Sequence, residues 1–283
     1  MAINILPTRR NLRFKLDPSK ALTWHQDGRN VSQFLNTLSL FFPVGERFFI
    51  DSVRHYRDVV QDPELKKAVT AFIGQEAMHG REHEEYNGFV NDAGVPIEAQ
   101  ERLVDALLKR LQKSTPASFQ LAGTVALEHL TAILADGLLS LPEIMEGSDE
   151  GYRALWNWHA LEETEHKAVA FDLYQDVDGG YWRRQRTFFT GTAYLIGFSA
   201  YFTWQFLKQD GVNRKPLTLA KGLWKMFGYR GVVSGAIPAW FQYLRPDFHP
   251  WQDDNTHLLD EWRATLPEPA AYPPLTLPTL LLV

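Results

Sequence analysis

The chain contains the pattern Glu-x-x-His twice, and each copy follows a lone glutamate set in apolar sequence. The copies are Glu76–His79 and Glu163–His166, and the lone glutamates are Glu46 and Glu128. The separation of the two glutamates is similar in both halves, 30 residues in the first and 35 in the second. A bundle in which two helices each give one Glu, and the other two each give Glu-x-x-His, can hold two metal ions. The repeat therefore predicts a dinuclear metal centre between four helices.

The residue composition restricts the metal. The 283 residues include no cysteine, which excludes disulfides, thiolate clusters and cysteine nucleophiles. The remaining ligands, imidazole and carboxylate, suit iron or manganese, and they are less distinctive of zinc. We therefore expect two iron ions, with manganese or a mixed Mn/Fe pair as alternatives and zinc less favoured. The net charge of −5, with scattered Lys and Arg, predicts no nucleic-acid partner.

Proline and glycine signals divide the chain into four parts. We expect an irregular N-terminal leader (1–30), a helical bundle (31–180), an aromatic-rich helical extension (181–266) and a proline-rich, extended tail (267–283). Within the bundle, Pro43 is predicted to open or kink the helix that carries Glu46. One long helix is predicted over about 150–175. Strand signals are nearly absent, so the predicted fold class is all-α.

Helical periodicity places the metal-binding candidates on shared faces. Glu76, His79 and His83 lie at i, i+3 and i+7, and His159, Glu163 and His166 at i, i+4 and i+7. Burying several carboxylates without counter-charge would cost roughly several kcal/mol per ion, and two divalent cations remove that cost. The alternative is that each motif lies by chance on a solvated helix face.

These residues resemble the ferritin-like di-iron carboxylate superfamily over about residues 31–178, with spacings similar to those of the small subunit of ribonucleotide reductase. The resemblance implies a ferritin-like four-helix bundle with a dimetal centre and additional C-terminal helices. It also implies the metal ligands: Glu46, Glu76 and His79 for one metal, and Glu128, Glu163 and His166 for the other, with Glu76 and Glu163 bridging the two. The same six residues are the implied catalytic residues.

Three neighbouring residues extend this resemblance. His83 stands where the reductase subunit has its radical tyrosine, which implies that no tyrosyl radical is stored here. His159 resembles the additional histidine ligand of arylamine oxygenases; its alternative is a core histidine bonded to a backbone carbonyl. Glu162 stands where the reductase family has an acid that hydrogen-bonds a ligand histidine; its alternative is a surface salt bridge.

A narrower resemblance covers most of the chain. The segments Phe42–Phe49, Phe72–Gly80 and Leu244–Trp251 are similar to a bacterial family described as predicted metal-dependent hydrolases. Because that description is itself a prediction, it enters as a hypothesis about chemistry.

The C-terminal third is rich in aromatic residues. Residues 187–207 carry no charge, a length sufficient to cross a bilayer, but their Thr, Ser and Gln content favours a helix packed on the bundle. Residues 217–243 are predicted as one amphipathic helix, either covering the domain or lying on lipid. The aromatic surface indicates an apolar substrate channel or a homodimer contact. The N-terminus contains no secretion signal, so we expect a cytoplasmic protein, with peripheral membrane contact as the alternative.

Three functions fit these observations. The leading prediction is a non-haem di-iron oxidase or oxygenase that uses O2 and an electron donor on a small or apolar, lipid-like organic substrate. The alternative is a metal-dependent hydrolase that uses a hydroxide bridging the two metals. The third is a non-catalytic protein for iron binding or storage.

Overall fold

The computed structural model describes residues 5–229 and 231–266, and over these residues the chain is all-α, which confirms the predicted class. They contain no strand. Their α-helices are α1 (Arg29–Arg57), α2 (Pro63–Asp92), α3 (Ile97–Ser114), α4 (Ala117–Ser140), α5 (Glu150–His166), α6 (Val169–Val177), α7 (Tyr181–Gln209), α8 (Pro216–Phe227), α9 (Val232–Gly235), α10 (Ile237–Gln242) and α11 (Thr256–Arg263). The predicted proline-rich tail, 267–283, lies outside the described residues.

Two of the bundle helices begin at side-chain caps. The Asp62 carboxylate accepts a hydrogen bond from the Glu64 backbone N–H at 2.9 Å, and Pro63 occupies the first position of α2. At the start of α5, the Asp149 carboxylate accepts one from the Gly151 N–H at 3.1 Å. Such caps satisfy backbone donors that have no partner within the helix.

Helix α1 does not open at Pro43, so that part of the prediction is wrong. The helix continues from Arg29 to Arg57 with Pro43 buried in its interior. Proline removes one backbone hydrogen bond, but buried apolar residues such as Leu40 and Val44 flank it on both sides. Packing of this stripe against the neighbouring helices offsets the local loss.

Two predicted long helices are divided. The helix expected over about 150–175 is interrupted at residues 167–168, where the Lys167 ammonium donates to the Asp253 carbonyl and the Asn255 side chain. These contacts tie the turn to the segment that precedes α11. The helix expected over 217–243 forms three shorter ones, α8 to α10. Gly228 and Gly231 separate the first two, consistent with glycine's cost of about 1 kcal/mol in a helix interior.

The interior of the bundle lies between α1, α2, α4 and α5, with an apolar cluster on each side of its centre. One cluster contains Trp24, Tyr86 and Tyr152, and the other contains Phe72 and Phe171. Charged side chains at the centre are therefore separated from bulk water on both sides, which raises the cost of leaving them without partners.

Helix α7 contains the uncharged stretch 187–207 and packs on α4 and α1. Its buried residues include Phe188, Phe202 and Phe206.

Among the described residues, the single helix that is apolar and long enough to cross a membrane is α4, and 61% of its most apolar window is buried. Burial of this kind is typical of a core helix.

Residues 5–28 of the leader are packed onto the bundle. Between residues 5 and 28 its one regular element is a 3-10 turn at Pro18–Lys20. Trp24 is 2% exposed and stacks on Tyr152 of α5 with ring centroids 5.3 Å apart, and Arg10 is 5% exposed. The leader therefore contributes to the core and reaches the centre described next.

Candidate metal centre

Four helices bring all six implied ligands to one place. Each is at most 4% exposed. Glu46 comes from α1, Glu76 and His79 from α2, Glu128 from α4, and Glu163 and His166 from α5. Their ligand atoms, together with one from His159, form three overlapping groups within 4.8 Å: Glu46/His79/His159, Glu76/His79/Glu163 and Glu76/Glu128/His166.

At one end of the cluster, His79 and His159 approach the same carboxylate. His79 Nδ1 lies 3.5 Å from Glu163 Oε1 and 3.9 Å from Glu76 Oε1. His159 Nε2 lies 3.1 Å from Glu163 Oε1. Glu46 completes this group.

At the other end, His166 is the central residue. Its Nε2 lies 3.2 Å from Glu76, 3.3 Å from Glu128 and 3.5 Å from Glu163. Glu76 and Glu163 thus approach histidines of both ends, the position that a bridging carboxylate requires. Bridging itself stays a prediction.

Most of these ligand atoms lack hydrogen bonds. Nine buried atoms of the cluster have no hydrogen-bond partner among the described residues: both carboxylate oxygens of Glu46, Glu76 and Glu128, Glu163 Oε2, His79 Nδ1 and His166 Nε2. Buried polar groups are almost always paired, since leaving one unpaired costs about 1–3 kcal/mol. Nine such atoms converging from four helices fit cation binding, and carboxylate oxygens with imidazole nitrogens suit divalent transition metals.

Burial and like charge dominate the electrostatics of the carboxyl groups. Burial, added to the charges of neighbouring carboxylates, raises the pKa of Glu46 and of Glu76 well above the usual range. Burial and the Glu163 charge raise the pKa of Glu128 to about 7. Without a cation, this cluster therefore favours protonated acids.

Glu163 and His166 behave as an ion pair. Burial acts to raise the pKa of Glu163, but the charge of His166 outweighs it, so this pKa lies well below its usual range. Burial likewise acts to lower the pKa of His166, and the neighbouring carboxylates raise it well above 6.5. A metal ion would displace the proton of His166, because ligands bind in their deprotonated forms.

A chain of hydrogen bonds fixes the tautomer of His159. Asn87 Nδ2 donates to the Ser39 carbonyl at 3.2 Å, so its Oδ1 is the acceptor for the Ser39 hydroxyl at 2.7 Å. The Ser39 oxygen must then accept from His83 Nδ1 at 2.8 Å, and His83 Nε2 accepts from His159 Nδ1 at 2.8 Å. His159 consequently keeps its proton on Nδ1 and directs the Nε2 lone pair into the cluster. The alternative of a backbone-carbonyl partner for His159 is not what the structure shows.

Glu162 is fully buried, so the surface salt bridge considered for it is wrong. Its Oε2 lies 3.2 Å from His79 Nε2, and its Oε1 accepts from Trp158 Nε1 at 2.8 Å and Arg10 at 3.1 Å. Burial raises the pKa of Glu162 to about 8 against the opposing charge of Arg10. A cation at His79 Nδ1 would favour a proton on Nε2 and hence the carboxylate form of Glu162.

Three further residues orient the cluster, and sequence reasoning missed them. His166 Nδ1 donates to Gln75 Oε1 at 2.9 Å, because Gln75 Nε2 already donates to Glu165 Oε2 at 2.9 Å. Glu165 accepts two hydrogen bonds from Arg10, at 2.9 and 2.8 Å. Gln75 and Glu165 lie beside predicted ligands in the sequence, a signal that could have found them. Arg10 lies 155 residues from Glu165, in a leader without periodicity, and no sequence signal links the two.

Gly80 provides space for Glu46. A Cβ atom added at Gly80 would lie 3.0 Å from Glu46 Oε2, closer than nearly all such contacts. The absence of a side chain one residue after His79 lets the carboxylate of α1 lie directly over α2. A small residue at this point was a readable signal.

A cavity of about 710 Å³ adjoins the cluster. Glu46, His159 and Glu163 form part of its wall, and apolar side chains of α1, α3, α4 and α7 form most of the rest. Its volume lies in the range of small-molecule sites, about 300–1,000 Å³. Part of the cluster therefore faces an apolar cavity large enough for a small molecule.

Residues 8–254 match the model of a protein family described as predicted metal-dependent hydrolase. The comparisons with curated proteins and with solved structures found no match. The family match covers the leader residue Arg10, all the candidate ligands and most of the C-terminal extension.

Proposed function

Because the chain belongs to the family of predicted metal-dependent hydrolases, we propose that it is a hydrolase whose metal ions are held by the buried Glu and His cluster. The observation that carries the proposal is the convergence of nine unpartnered buried ligand atoms beside an apolar cavity. We assign Glu46, His79 and His159 to one ion, Glu128 and His166 to the other, and Glu76 and Glu163 to both.

Two divalent ions at this position would lower the pKa of a water molecule and polarise the scissile carbonyl or phosphoryl group of a substrate. The protein's own side chains prepare the site. The Asn87–Ser39–His83 chain keeps His159 Nε2 free of a proton, and Gln75 holds one proton of His166 on Nδ1, so Nε2 is the nitrogen that would lose its proton to a metal ion. The apolar cavity wall excludes bulk water, which strengthens charge interactions within the site.

A reconstitution experiment tests hydrolysis. Metal-free protein is loaded separately with Zn2+, Mn2+ and, under nitrogen, Fe2+, and is assayed with neutral esters, amides and phosphoesters. We expect turnover of one bond class in loaded protein and loss of about 100-fold or more in Glu163→Gln. The matched control is Glu84→Gln, because Glu84 lies on exposed surface of α2 and should leave turnover unchanged. Equal turnover with and without metal would contradict the proposal.

The second candidate is oxygen chemistry, the leading prediction from the sequence. It ranks below hydrolysis because the family description supports a hydrolase and gives no support to an oxidase. One observation favours it: the donor set is made of Glu and His alone, three histidines among them, and sits between helices. Anaerobic Fe2+ loading followed by air tests it. Consumption of O2 without hydrolysis of any substrate in the panel would transfer the assignment to oxidation, and iron uptake far beyond two ions per chain would indicate storage.

A further inference from the structure

We propose that the cavity binds one long, unbranched hydrocarbon chain, so that the substrate class is long-chain alkyl or acyl esters whose carbonyl group lies at the Glu and His cluster. The inference rests on the proposed hydrolase function and adds the substrate class to it. Its basis is the shape of the cavity, the position of the cluster along it and the chemistry of its wall.

The cavity is elongated along the helices. Phe34 and Phe49 of α1 both line it, and fifteen residues of helix correspond to about 22 Å. Phe119 and Leu138 of the neighbouring α4 also line it, and nineteen residues correspond to about 28 Å. A slot of this length holds an extended chain better than a compact ring system.

The cluster lies part-way along the slot. On α4, Glu128 is nine residues from Phe119 and ten from Leu138, which corresponds to arms of about 14 Å and about 15 Å on either side of it. On α1, Glu46 is twelve residues from Phe34, or about 18 Å. The chain of an ester whose carbonyl group lies at the cluster would follow the arm toward Phe34 and Leu138, called the long arm below.

The long arm is lined by apolar side chains. Its walls include Leu38, Phe41, Leu134, Ala135, Leu138 and Met226. The hydroxyls of Thr131, Thr187 and Thr190, which also line the cavity, donate to backbone carbonyls of the protein. These groups are already paired, so the wall favours methylene groups over a polar ligand.

The exposed apolar side chains of α3 and α7 continue this wall to the surface. Leu107 is 42% exposed and Tyr194 is 65% exposed, and both line the cavity. Within the described part of the chain, Arg110 is the one charged lining residue outside the cluster, and the apolar rim lets a hydrocarbon chain enter beside it.

Chain-length dependence of binding tests the inference without any metal. Primary alkanols of about 8 to about 16 carbons are titrated into metal-free protein to displace a fluorescent apolar probe; alkanols are neutral and avoid repulsion by the acidic cluster. We expect affinity to rise about fourfold for each added methylene and then to level off when the long arm is filled. Equal affinity for short and long alkanols, or tighter binding of a compact polycyclic alcohol with the same carbon number, would overturn the inference.

A pair of substitutions on α4 locates the tail. Ala135→Leu narrows the long arm and should weaken binding of the longest alkanols about tenfold or more, as expected if two methylenes are excluded, while short ones are unaffected. Gly123→Leu adds the same bulk on the other side of the cluster, in the arm toward Phe119, where the nearest atom to a Cβ is 3.9 Å away, and should leave the chain length at the plateau unchanged. If Ala135→Leu does not fold, Leu134→Trp provides the same block. An unchanged plateau in every folded long-arm variant would contradict the assignment.

Failure of this inference can be told apart from failure of the proposed hydrolase function. Length-dependent alkanol binding without hydrolysis of any ester would refute hydrolysis and retain the long-chain ligand. Ester hydrolysis with no dependence on chain length in binding or turnover would retain the hydrolase and refute the substrate class.

Discussion

Replacing Arg10 by methionine tests whether the N-terminal leader holds the metal centre in place. Arg10 is 5% exposed, and its guanidinium donates to two buried carboxylates, Glu162 at 3.1 Å and Glu165 at 2.9 and 2.8 Å. Glu162 in turn contacts His79, and Glu165 contacts Gln75, the hydrogen-bond partner of the second metal-facing histidine. Methionine keeps most of the packing volume and removes the charge.

The expected loss of unfolding free energy is about 3–5 kcal/mol, because removing one partner leaves buried charge without compensation. Glu165 retains Arg263 at 2.8 Å, which places the loss toward the lower end of that range. Metal affinity should fall about tenfold or more, as is usual when a group that orients a ligand is lost.

Urea unfolding of metal-free protein and competition of a chromophoric chelator for Mn2+ measure the two effects. The matched control is Arg13→Met in the same leader, since the Arg13 side chain is 62% exposed and its contact with Glu82 should contribute less than about 1 kcal/mol. In the double variant Arg10→Met/Glu165→Gln, part of the lost stability should return. If Arg10→Met loses less than about 1 kcal/mol and keeps its metal affinity within about twofold, the leader does not support the centre.

Three further predictions follow from the buried groups. Ser39→Ala removes the acceptor that fixes the proton of His83, and that proton in turn sets the orientation of His159. The affinity for one of the two metal ions should therefore fall about tenfold while the affinity for the second ion is retained, as measured by stepwise chelator competition. Burial lowers the pKa of His25 from 6.5 to about 4, so its neutral form stabilises the fold above pH 6.5 and that contribution is lost as pH falls toward 4. Between pH 6.5 and 4 the His25→Asn variant should therefore lose less unfolding free energy than the wild type, by up to about 3 kcal/mol, as measured by urea unfolding at each pH. Equal losses in the two proteins would refute the assignment. Burial raises the pKa of Glu128 to about 7, so metal-free protein should lose stability as pH rises from 4.5 to 7. The affinity for Mn2+ should increase over the same range, because the metal binds the deprotonated carboxylate. An affinity that does not change with pH would contradict protonation of the cluster.

The sequence brought the candidate ligands together because the helical period alone determines which residues share a face. Glu76 and His79 on one helix, and Glu163 and His166 on another, face inward together whatever the details of packing. The same argument placed His159 in the cluster. The all-α class followed from the same periodicity and from the near absence of strand signals.

The remaining features depend on contacts between distant parts of the chain. The pairing of Arg10 with Glu165 joins an irregular leader to α5 across 155 residues, and no local pattern encodes it. Helix α1 continues through Pro43 because tertiary packing outweighs a local preference. The break between α8 and α9 lies at Gly228 and Gly231, and the break between α9 and α10 lies at Ala236, just before Pro238; a helical period over 217–243 reveals neither. Ligand chemistry also did not decide between hydrolysis and oxygen activation, because both use Glu and His ligands.

Metal content of the purified protein tests the central claim most directly. Elemental mass spectrometry of protein isolated from its native host should give two transition-metal ions per chain, and Glu163→Ala, which removes the carboxylate shared by both ends of the cluster, should retain less than one. Wild-type protein that binds no metal tightly, or a folded Glu163→Ala variant that keeps two, would show that the converging acids and imidazoles do not form a shared dinuclear centre.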